Sequence, residues 1–258
     1  MTSGIVFSPR SRLVDRIHRA APQLTGITLL IALATLPILA AMALDGRSFQ
    51  GEDIWLKPLK FHIALAIYVG SLAVYALALP PGTMTTRRWR LYQSVVLGAI
   101  LAELAWISGA AALGTGSHFN LTIPGLYPLM GLAAVTLTSL SLVMGLTFWK
   151  LGTSTLHLGL AIGLILTFVL TVIVAGTMSN GTGHHIGTVV TGARIPVMGW
   201  SREAGDLRVA HFLATHAMHA VPLAALTGAR PVVWGVAVAY TAITFGAFVQ
   251  ALLGLPLI

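Results

Sequence analysis

Followed from residue to residue, the chain alternates between long apolar runs and short polar links. Seven runs stand out, at about 24–44, 61–79, 91–113, 125–149, 155–177, 208–226 and 232–255. At ~1.5 Å of helix rise per residue, each can cross or nearly cross a hydrocarbon core of ~30 Å. A backbone in lipid must satisfy its polar groups internally, so runs of this length are read as helices. Pro80-Pro81-Gly82 stops the second, Gly114-Thr-Gly-Ser follows the third, and Gly228-Ala-Arg-Pro231 makes a tight turn before the seventh. The pattern predicts an all-α polytopic membrane bundle of seven transmembrane helices, a single domain over 1–258, because no link is long enough to fold alone. The first run follows a basic segment but exceeds a signal-peptide core, so it counts as a span.

Composition agrees: 56% of the 258 residues are hydrophobic and 9% charged, with mean hydropathy +0.87, far from the ~25% charged residues of a soluble domain. The net charge of +8 does not point to nucleic acid, because the basic residues sit in clusters between the runs. Nine of them, Arg10, Arg12, Arg16, Arg19, Arg87, Arg88, Arg90, Lys150 and Arg230, fall on one side of a seven-span topology and six on the other, whereas five of the seven acids lie on that second side. The positive-inside rule then places the amino terminus inside and the carboxyl terminus outside, in a bacterial inner (plasma) membrane. The chain has no cysteine, which excludes disulfides, thiolate metal sites and iron–sulfur clusters.

Chemistry concentrates where the sixth run begins, in Gly205-Asp-Leu-Arg-Val-Ala-His-Phe-Leu-Ala-Thr-His-Ala-Met-His-Ala-Val-Pro222. On a helical wheel, Arg208, His211, Thr215, His216 and His219 occupy one sector of roughly 140°. Ionisable groups at membrane depth are costly and mark functional sites by default. Counting ~1.5 Å per residue, His216 and His219 lie ~12 and ~16 Å below the outer end of their run, and Glu103 lies at ~15 Å in the third. Further histidines gather at the outer level: His62 at the mouth of the second run, His118, His184 and His185 in links, and His211. His18 and His157 lie towards the inside.

Imidazoles beside a carboxylate suit a metal ion (Fe, Cu or Zn) or haem b, with His118, His185, His211, His216 and His219 as candidate ligands and Glu103 as the candidate catalytic acid. A proton relay in a transporter or sensor suits the same groups, and a polar network that only fixes helix packing is the plainest alternative. Lys57, Lys60 and Arg208 sit at the outer boundary, against the positive-inside trend. They are candidates for binding an anionic headgroup, substrate or cofactor, or for pairing with Glu52, Asp53, Glu203 and Asp206. Expected partners are membrane lipids, a quinone or other small lipophilic substrate, and further subunits of an oligomer or larger complex, with no nucleic acid.

The segments Trp55-Leu-Lys57-Pro-Leu-Lys60-Phe61, Glu103, Ser117-His-Phe-Asn120, Gly199-Trp-Ser201 and Gly205-Asp-Leu-Arg208-x-x-His211-Phe-x-x-x-His216-Ala resemble a family of uncharacterised bacterial multi-span membrane proteins. The resemblance covers most of the chain from the second run to the sixth and brings no activity with it. It implies that Gln is common at the place of His219, which favours Glu103, His118, His185, His211 and His216 as site residues.

Overall fold

The computed structural model describes residues 12–118, 120, 123, 125–152, 154–181 and 183–258. Among the described residues there are eight α-helices: α1 (Leu13–Ala20), α2 (Pro22–Leu44), α3 (Leu56–Tyr75), α4 (Arg87–Ala112), α5 (Leu126–Leu151), α6 (Thr155–Asn180), α7 (Leu207–Ala224) and α8 (Arg230–Leu252). Seven helices, α2 to α8, are long and apolar enough to cross a membrane. They coincide with the seven apolar runs, so the chain is an all-α, multi-span membrane protein.

Three of the helices start at a side-chain cap. Thr86 accepts the Trp89 N–H at the head of α4, Ser154 the His157 N–H at the head of α6, and Asp206 the Arg208 N–H at the head of α7. Pro22 occupies the first turn of α2, where its missing N–H costs nothing. Two helix starts differ most from the hydropathy pattern. Helix α3 begins at Leu56 rather than near Phe61, and α4 at Arg87 rather than Leu91, because polar residues in a first turn do not interrupt a helix and Pro58 is tolerated there. Lys57 and Lys60 therefore ride on α3 instead of lying in a link.

The chain forms two compact units, 1–137 and 138–258, whose division falls within α5. In the first, α2 packs against α3, and α4 packs on both. The indole N–H of Trp89 donates to the Ala20 carbonyl at 2.9 Å, tying the start of α4 to the α1–α2 junction. At the other end of α4, Arg47 closes the helix by donating to the Ala112 carbonyl (3.2 Å) while its fork grips Asp45 at 2.7 and 2.8 Å. The Asp45 carboxyl is held well below the usual range, first by Arg47 and then by the Trp55 indole.

In the second unit, α6 is the central element and packs closely on α7. Gly159, Gly163 and Thr167, spaced four apart on α6, form the seam. A Cβ on Gly163 would lie 2.8 Å from Pro222 Cδ, and one on Gly159 2.8 Å from Ala225 Cβ. Small residues at this spacing let backbones approach, which is the main source of helix association where water supplies no drive. Pro222 cannot donate to the carbonyl four residues back. Near that break, the Met218 N–H donates to Thr167 Oγ at 2.8 Å.

Candidate functional site

The link between α6 and α7 contains two short strands, β3 (His185–Ile186) and β4 (Gly205–Asp206), paired antiparallel with His185 opposite Asp206. A bridge between Arg194 and Ser201 closes the intervening loop. The link is pinned from both sides. A Cβ at Gly205 would overlap the Ala251 carbonyl, so only glycine lets β4 lie against the end of α8. Glu203 accepts the N–H groups of Val190, Thr191 and Gly192 at 2.9 to 3.1 Å. That cradle, headed by the Thr191 hydroxyl, pushes the Glu203 carboxyl down to about 2.

Asp206 is at once the β4 end, the α7 cap and the centre of a charged cluster. Its Oδ1 takes the N–H and Nε of Arg208 at 3.0 and 2.9 Å, and its Oδ2 takes the Ser201 N–H at 2.9 Å and Arg208 Nη2 at 2.6 Å. Arg208 Nη2 also donates to the Gly199 carbonyl at 2.6 Å. The carboxyl is 2% exposed; burial raises its pKa, but hydrogen bonds from Arg208 and His185 and the nearby guanidinium outweigh that and hold it far below the ordinary range. His185 Nε2 stands 3.5 Å from Oδ2, and the ring of His184 lies 4.1 Å from that of His185, centroid to centroid. One ligand atom from each of His184, His185 and Asp206 lies within 4.8 Å of the other two.

The predicted histidine sector of α7 continues from this cluster. Arg208, His211, Thr215, His216 and His219 are all half-buried within the second unit, whereas Ala210, Ala214, Ala217, Met218 and Val221 on the other side of the helix are buried. Trp200, Phe212, His216 and His219 form a run of ring contacts at 5.6, 4.0 and 5.3 Å. His216 Nδ1 is 2.7 Å from the Phe212 carbonyl, to which it donates.

Of the expected ligands, His118 belongs to the first unit and His185, His211, His216 and His219 to the second. Among the described residues, the group of three that could share an ion contains His185 and adds His184 and Asp206, while His211, His216 and His219 lie further along α7. His118 belongs to the first unit, with its ring 5.6 Å from Phe61 and its Nδ1 3.1 Å from Ser117 Oγ. Burial, and then the charge of Lys57, push it down to about 3. Lys57 lies 5.9 Å from the Phe61 centroid, and Lys60 is one turn further along α3. Of the three cations expected at the boundary, Arg208 takes the pairing alternative, with Asp206. Asp206 was legible only as a partner for Arg208, and nothing in the local pattern pairs it with histidines 21 and 22 positions earlier. The adjacency of His184 and His185 was the available signal.

Comparison with protein-family models, curated proteins and solved structures finds no match to this chain.

Proposed function

We propose that this chain is a metal-binding protein of the bacterial inner membrane. His184, His185 and Asp206 hold the ion at the outward mouth of α7, where it serves redox or other metal-assisted chemistry. One observation supports this reading: two imidazoles and a carboxylate offer ligand atoms within 4.8 Å of one another. Two His and one carboxylate, with coordination positions left open, is the donor set of non-haem iron oxygenases and of hydrolytic zinc sites. Imidazole suits Fe, Cu and Zn, and without cysteine no softer set competes. Three ligand atoms this close together, one of them on a buried carboxylate, suit a bare ion rather than haem b.

The geometry also identifies what binding must overcome. Asp206 Oδ2 is already bonded by Arg208 Nη2 and the Ser201 N–H, so an ion held there would have to displace the guanidinium contact on that oxygen. Arg208 keeps the Gly199 carbonyl and Oδ1 and would then orient the carboxylate from behind, as partners of ligating carboxylates do.

The experiment is metal analysis of the full-length protein, purified in detergent through a tag free of histidine and titrated with Zn²⁺, Fe²⁺ and Cu²⁺. About one equivalent of one of these ions is expected. His184→Ala and His185→Ala should each weaken binding by at least the ~10- to 100-fold that loss of a supporting partner costs, with helical content unchanged. Unaltered affinity in both variants, or pH-dependent flux in liposomes from protein that binds none of the three ions, would overturn the reading.

A further inference from the structure

Glu103 is the acid that the metal site does not use. It lies in the middle of α4 and is 3% exposed; both carboxylate oxygens are buried, and neither is hydrogen-bonded among the described residues. The helix turns it inward: Val96, Ile100, Ile107 and Ala110, at spacings of three, four and seven from it, are all buried. One turn on, the Trp106 indole N–H donates to the Ser117 carbonyl at 2.7 Å, folding the following link back over this end of α4. Lys57, near the start of α3, stands at this end too: its ammonium lies 5.9 Å from the Phe61 centroid, and the Phe61 ring lies 5.6 Å from that of His118 in the folded-back link.

A glutamate kept for helix packing would be bonded across to a neighbouring helix. Among the described residues Glu103 is not, and an ionised carboxylate with no donor is among the costliest groups to bury. A neutral acid has a much smaller penalty. We propose that Glu103 is a proton-binding site within the first unit. It is held as the neutral acid and releases its proton to water at the end of α4 where Lys57 stands, leaving the O–H bonding pair on a carboxylate that the Lys57 ammonium stabilises. The surrounding elements carry few other ionisable groups. Lys60, His62, Tyr68 and Tyr75 are on α3, with His62 Nδ1 2.8 Å from the Pro58 carbonyl and the Tyr68 hydroxyl donating to the Leu137 carbonyl at 2.7 Å. His118 is in the link, held neutral, and Tyr127 is at the start of α5. The Asp45–Arg47 pair closes the end of α4, and α2 carries none.

Dicyclohexylcarbodiimide, an apolar reagent that adds the O–H of a protonated carboxylic acid across its C=N bond and rearranges to a stable acylurea, reads this state directly. The full-length protein in lipid nanodiscs, labelled over a pH series and mapped by peptide mass, should carry the adduct on Glu103, with labelling falling as pH rises. Glu103→Gln should abolish that adduct. Lys57→Met, which removes the stabilising cation, should extend labelling to higher pH. Absence of an adduct on Glu103 of the wild-type protein at every pH, or labelling that does not vary with pH, would overturn the assignment whatever the fate of the variants. An unshifted profile in a folded Lys57→Met protein would overturn the part given to Lys57.

Discussion

His118 shows how a single residue can make folding depend on pH. Its ring is held neutral, at about 3 against an ordinary value near 6.5. Below pH 6.5 the unfolded chain therefore takes up a proton that the folded chain refuses. The linkage is of the lowered kind: stability is fully present above 6.5 and lost progressively as pH falls towards 3. Replacing the ring by one that cannot titrate, as in His118→Phe, should flatten the acid side of the thermal-stability profile in detergent between those values. A His118→Phe profile as steep as that of the wild type would place the acid sensitivity elsewhere.

Among the elements, the α6–α7 seam carries the most weight, because α7 supplies both the cap and the histidine face. Thr167→Val removes the acceptor of the buried Met218 N–H while keeping volume, and should cost about 1 kcal/mol. Gly163→Leu drives a side chain into Pro222 and should cost about 3 kcal/mol or more. Denaturant titration of both variants would test the ranking; equal stabilities would mean the seam is looser than its distances imply. This is also the scale at which the sequence was most and least informative. Hydropathy marked every spanning helix, since lipid leaves the backbone few alternatives, and the 3.6-residue period placed the α7 histidines on one side. The same period could not tell which side packs: the small residues Ala210, Ala214 and Ala217 do, and the histidines stay half-buried. Strands β3 and β4, two residues each, have no periodicity to read. The meeting of His184 and His185 with Asp206 therefore could not be found without the fold.

At the scale of the whole molecule, seven crossings would place the two chain ends on opposite faces of the membrane, and the arginines predict which end faces which side. A reporter fused after Ile258 should be active as periplasmic alkaline phosphatase and dark as a cytoplasmic fluorescent protein. The reverse pattern would invert the orientation, put the mouth of α7 on the cytoplasmic face and remove the outward-facing part of the proposal.

The central claim is that His184, His185 and Asp206 bind one ion, and X-ray absorption at the edge of the metal bound by the purified protein tests it most directly. The account predicts nitrogen and oxygen scatterers at ~2.0 to 2.2 Å, including two imidazoles, one of which disappears in each of His184→Ala and His185→Ala. A spectrum with oxygen ligands alone, or with both imidazoles intact in either variant, would contradict it.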